Sequence, residues 1–147
     1  MALGTITGVL TRIGKGSICK LVLTCTAGAA GDANAGLFPA TVLNALAVDA
    51  AGSLFDIRGL KLYSVKAYPG DTAPTDATDV TITDEYNIDL LGGKGADLVD
   101  ATSKTWIPVG PANYAFAALI TGNITVNITN NSVASAVTTI IIELAGD

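Results

Sequence analysis

Histidine is absent from this chain of 147 residues. That removes the commonest general base, the commonest metal ligand and the usual middle member of a nucleophilic triad. Cysteine is scarce: Cys19 and Cys25 stand six positions apart, a spacing that matches no zinc motif. On one extended strand they lie roughly 20 Å apart, beyond disulfide reach within a subunit. They read as two small buried residues, with an intersubunit disulfide as the alternative in an oxidising compartment. Basic side chains are few and scattered, eight in all, and the formal net charge is −5. Phosphate neutralisation needs clustered Lys and Arg, so nucleic acid is not an expected partner. Aromatics make up only 5% against 50% hydrophobic residues, so Ala, Val, Ile and Leu must supply the core.

Charge of either sign is thin, at 14%, and from Thr105 to Ile142 there is none. With a mean hydropathy of +0.51, such a run raises the question of a membrane. A spanning helix needs about 20 predominantly apolar residues, and this run is interrupted by Pro108, Gly110, Pro111, Asn113, Gly122 and Asn123. Its most apolar piece, Tyr114 to Thr121, is too short, so no membrane partner is expected. The start of the chain has no basic segment followed by an apolar one, so no signal peptide is read there and maturation in a cytoplasm is expected.

What is present is alternation. Thr5, Thr7, Val9 and Thr11 alternate with Ile6, Gly8, Leu10 and Arg12; Gly14-Lys15-Gly16-Ser17 supplies a turn, and Ser17 to Thr26 returns as a second strand. Residues 1–27 therefore read as an N-terminal hairpin or arm. Ala27 to Gly36 reads as a flexible small-residue loop. Leu43 to Ala51 is the one helix candidate, with Leu43, Leu46, Ala47 and Ala50 at helical spacing and Thr41 or Asn44 as cap. Leu54 to Tyr68 reads as a long strand, bulged at Gly59. Thr78 to Thr83 alternates again, a turn at Asp84–Asn87 leads into Ile88–Leu91, and Trp106-Ile107 opens a short strand. Near the end, Ile124, Val126 and Ile128 alternate with Thr125, Asn127 and Thr129, Asn130-Asn131-Ser132 makes a turn, and Val137 to Leu144 returns. Short strands separated by turn signals predict an all-β fold in one domain spanning 1–147: an antiparallel β-sandwich, jelly-roll-like, with at most one short helix.

Eight of the thirteen acidic residues fall between Asp71 and Asp100. Their spacing fits no EF-hand loop. Asp at turns and caps is the expected reading, with calcium as the alternative and glycoside hydrolysis a remote one. Gly92-Gly93-Lys94-Gly95 lacks the strand-to-helix context of a phosphate loop and reads as a turn. The sequons at Asn123, Asn127 and Asn130 read as a polar strand face and its turn. No cofactor, metal or catalytic residue is expected.

The segment Leu62–Gly93 resembles a recurrent pattern in small virion proteins of tailed bacteriophages. Its pieces are Pro69-Gly70, Ala73-Pro74-Thr75, Asp79-Val80-Thr81-Ile82-Thr83-Asp84 and Asp89-Leu90-Leu91-Gly92-Gly93, with Ile107-Pro108 and Ile124–Asn130 looking like its continuation. The resemblance covers roughly residues 54–144 and is most like a capsid decoration, or cement, protein. It implies a non-enzymatic structural protein on the capsid surface, assembled in the host cytoplasm, whose partners are the major capsid protein and its own copies as a trimer. A tail, neck or fibre protein and a carbohydrate- or calcium-binding sandwich are the alternatives. The candidate assembly face is the neutral one formed by Thr125, Asn127, Thr129 and Asn130.

Overall fold

The structure, a computed structural model, describes residues 4–14, 18–108 and 118–146. Their strands are β1 (Thr5–Ile13), β2 (Ile18–Thr26), β3 (Thr41–Val42), β4 (Lys61–Pro69), β5 (Asp79–Thr83), β6 (Thr105–Pro108), β7 (Ala118–Leu119), β8 (Thr125–Thr129) and β9 (Val137–Ala145). A large sheet runs β1-β2-β9-β4-β6, with β7 also on β4; a small sheet runs β3-β8-β5. Every strand pairing is antiparallel.

The pairings are nested. β2 takes β9, β3 takes β8, and β4 takes both β6 and β7 along one edge. β5 is closed by isolated bridges to the chain that follows it, Thr83 with Asp89 and Thr78 with Val99. The two antiparallel sheets make the all-β sandwich expected from the strand spacing.

Alternation explains which face each strand buries. In β9, Thr138, Ile140, Ile142 and Leu144 turn inward while Val137, Thr139, Ile141 and Glu143 turn outward. Leu21 and Leu23 of β2, Val80 and Ile82 of β5 and Val126 of β8 are all fully buried, and one apolar cluster draws on both sheets. Each such Leu or Ile contributes about 1.5–3 kcal/mol by leaving water, and truncating one to Ala typically costs about 2–5 kcal/mol.

Three expectations need correction. The helix over Leu43–Ala51 is a single 3-10 turn, Leu43–Ala45. Neither Thr41 nor Asn44 caps it: Thr41 donates to the carbonyl of Pro39, and Asn44 reaches across to the loop before β8. Leu43 and Ala47 are buried as their spacing suggests, but the chain then extends so that Val48 bridges Leu54. Tertiary pairing overrides a weak and short helical pattern.

The long strand from Leu54 begins instead at Lys61. Residues before it turn at Gly59 (φ +87°), where Arg58 and Asp56 form an exposed ion pair at 2.7 Å. The irregularity lies between Leu62 and Ser64, whose partners Leu144 and Glu143 are adjacent. Tyr63 is the extra residue, and its insertion resets the alternation, so that Ser64 and Val65 are both buried.

Finally, the Ala27–Gly36 loop is firmly tied rather than loose. The amides of Gly28 and Gly36 donate to the carbonyls of Leu37 and Gly28. A Cβ on Gly28 would lie 2.0 Å from the carbonyl oxygen of Asn34, which explains the need for glycine there. Of the expected N-terminal turn, residues 15–17 lie outside the described residues, as do residues 109–117 of the charge-free run. Among the described residues, no helix is long and apolar enough to cross a membrane.

Candidate assembly surfaces

The small sheet turns outward a face that is neutral except at Asp79, at one end. In β8, Val126 and Ile128 point into the core, which leaves Thr125, Asn127 and Thr129 on the opposite side. Register extends that face over both neighbours: Thr125 lies beside Val42 and Thr83, Asn127 beside Thr81, and Thr129 beside Asp79. The sequence pattern identified the two alternating segments separately. Their juxtaposition depends on strand order, which periodicity does not encode.

The four candidate residues differ in their freedom. The Asn127 carboxamide donates to the Thr83 hydroxyl at 3.5 Å, a long contact. Asn130 follows β8 in the left-handed region, φ +65°, where Asn is tolerated better than most residues, and its side chain donates to the Asp79 carboxylate. Thr125, Asn127 and Thr129 thus form one uncharged surface, and Asn130 closes its end against Asp79.

The acidic region has a local explanation. Asp84 accepts the amides of Tyr86 and Ile88, both at 2.9 Å. Asp89 accepts those of Ile82, Leu91 and Gly93. Asp79 accepts the amide of Asp97 and Asp76 that of Ala101. Asp100 accepts the amides of Thr102 and Ser103, which lowers its pKa below the usual carboxylate value. These carboxylates replace strand pairing along a segment, 84–104, that has little regular structure, and so satisfy its backbone donors. No group of three or more metal-ligating side chains is gathered among the described residues.

Two shallow grooves flank these surfaces. One, about 630 Å³, lies between β1 and the Asp49–Phe55 turn, where the Arg12 guanidinium sits 4.6 Å from the centre of the Phe55 ring. Its Asp49 carboxylate already accepts the amides of Ala51 and Ser53. The other, about 360 Å³, lies on the outer face of the large sheet among Lys66, Tyr68, Lys104, Trp106 and Ile141. Neither cysteine lines a groove: each is a free thiol on the buried face of β2, with Cys19 the cross-strand partner of Arg12.

No family model matches the chain, and no curated protein matches it. Among solved structures, the chain is similar to one in the cyanophage Pam1 capsid asymmetric unit, with a TM-score of 0.47 and 11% sequence identity over 93% of this chain and 91% of that one.

Proposed function

We propose that this chain is a non-enzymatic structural protein of a tailed-phage virion, which decorates the capsid by binding the major capsid protein and works as a trimer. The observation that carries the reading is the uncharged part of the small sheet's outer face, built by Thr125, Asn127 and Thr129 beside Thr81 and Thr83 and bounded at one end by Asp79. Interface centres are depleted in charge, and a flat Thr/Asn surface offers donors and acceptors without the desolvation penalty of ions. The resemblance of Leu62–Gly93 to small virion proteins supports the same reading, and its Asp79–Thr83 element is one of the two edge strands of that sheet. A decoration protein that binds only the assembled shell stabilises it by mass action.

The test is co-sedimentation with purified capsids before and after expansion. Saturable binding to the expanded shell is expected, and Asn127→Lys is expected to abolish it while leaving the melting temperature within a few degrees of wild type. Binding to tails rather than shells would move the protein to another virion position. Binding to neither would overturn the reading.

A further inference from the structure

The outer face of the large sheet has a different character. Val9, Val22, Ile141, Lys66 and Trp106 are successive cross-strand partners, so they form one row across five strands. Val9 and Trp106 are 46% and 58% exposed, and four residues further along β1 and β2 Ile13 and Ile18 are exposed to a similar degree. Apolar side chains thus recur across this outer face, interrupted by Lys66 and by the Thr11–Lys20 pair, and exposed apolar surface of this kind marks a contact site.

Its charge is opposite to that of the chain. The outward positions of the large sheet carry Lys20, Lys61 and Lys66 but a single acid, Glu143, which pairs with Lys66. Lys104, just before β6, adds a further cation and lies over the Tyr68 ring at 5.7 Å. In a protein with a net charge of −5, two cations, Lys66 and Lys104, thus rim one apolar groove, the 360 Å³ cleft at Trp106 and Ile141.

A complementary element lies on the other layer. The Asp84–Asp89 turn projects from the end of β5 and carries Tyr86 at 76% and Ile88 at 59% exposure, flanked by Asp84, Glu85 and Asp89. The turn is preformed. Besides the two amides accepted by the Asp84 side chain, the amide of Asp84 donates to the carbonyl of Ile88 and that of Asn87 to the carbonyl of Asp84. A rigid aromatic knob with an acidic rim fits a basic-rimmed aromatic groove in shape class, polarity and charge. Preorganisation lowers the entropy lost on docking, and Tyr and Trp are typical anchors of such contacts.

We infer that the Asp84–Asp89 turn of one copy of this chain docks into the Trp106–Ile141 groove of the next. Knob and groove sit on opposite layers of the sandwich, so a chain does not fill its own groove. The contact is heterologous, and repetition of it closes a ring or extends a filament according to the rotation between copies. The inference stands independently of a virion role.

Sedimentation velocity on the purified full chain tests it. Association that rises with concentration and weakens between about 50 mM and about 500 mM salt is expected, because the rim pairs are exposed to screening. Trp106→Glu and Tyr86→Lys are each expected to weaken association at least about tenfold with unchanged circular dichroism. Mixed together, the two variants are expected to form a 1:1 complex and nothing larger, since one keeps an intact knob and the other an intact groove. As a second arm, Glu85→Lys and Lys104→Glu each weaken association, and the chain carrying both regains it. A wild-type chain that stays monomeric overturns the proposal. So do a Tyr86→Lys chain that associates normally, as face-to-face packing of two large sheets would give, and a mixture that fails to pair.

Discussion

Asn44 and Ile124 lie 80 positions apart, and the Asn44 carboxamide accepts the Ile124 amide at 2.8 Å. The same side chain donates to the carbonyl of Gly122 at 3.1 Å, and the Leu43 amide donates to the Ile124 carbonyl. These bonds extend a pairing between β3 and β8 that is only two residues long. They also fix the entry of β8, and hence the phase that puts Thr125, Asn127 and Thr129 outward.

Asn44→Ala therefore removes an acceptor and a donor from part-buried backbone groups. The expected loss of stability is about 1–3 kcal/mol, the usual penalty for stranding such a group. Urea unfolding checks it: the midpoint falls and the m-value stays constant, because the surface exposed on unfolding is unchanged. A loss below about 0.5 kcal/mol, the range of neutral surface changes, would mean that water replaces the amide.

Asp89 organises the other irregular region. One carboxylate oxygen accepts the amides of Ile82 and Leu91 at 3.2 and 3.1 Å, and the second accepts that of Gly93 at 2.9 Å. Bonds to an ionised acceptor are each worth roughly 1.5–3 kcal/mol at best, and partial exposure reduces that. Asp89→Ala is expected to destabilise by about 2–3 kcal/mol, whereas Asp71→Ala, at an exposed position, should stay within about 0.5 kcal/mol. Paired thermal melts separate the two. Run with and without calcium chloride, they also address the cation alternative: a ligand bound only by the folded state raises Tm, and no such rise is expected from carboxylates already directed at backbone amides.

The two layers were legible in the sequence wherever one face of a strand meets the core and the other meets solvent. Ile124, Val126 and Ile128 announced β8, and Val80 with Ile82 announced β5, because a two-residue period has one physical cause. Pairing was not legible. Nothing in the pattern of β8 says that Thr83 and Val42 flank Thr125, since register depends on loop closure between distant segments. The helix expectation failed at Leu43–Ala51 because buried Leu43 and Ala47 satisfy a helical and an extended path equally well over so few residues. The break at Tyr63 was invisible for a related reason: one inserted residue alters only the phase, and Ser64 with Val65 carries no separate signal. Of the candidate face, the outward set at 125, 127 and 129 followed from alternation alone. The engagement of Asn130 with Asp79 required the fold.

The two cysteines offer a readout of how the large sheet opens. Cys25 is fully buried, and burial pushes its thiol up to about 12. Cys19 is also buried, and its pKa is raised by desolvation, with Arg12 opposing. The thiolate is the reactive form, so at pH 8 neither native thiol should react at the rate of an unfolded chain. Position separates them. Each lies one residue from an end of β2, but beyond Cys25 the pairing continues, with the Ala27 amide donating to the Ala136 carbonyl, whereas Cys19 adjoins the exposed Ile18, where strands fray with a small opening free energy. Alkylation followed by intact-mass and peptide analysis should therefore show Cys19 modified first and Cys25 only at the rate of global unfolding. Dilute urea should accelerate Cys25 in proportion to the loss of stability measured by fluorescence. Equal native rates at both positions would show instead that β2 detaches as a unit, and that the pairing beyond Thr26 does not protect Cys25.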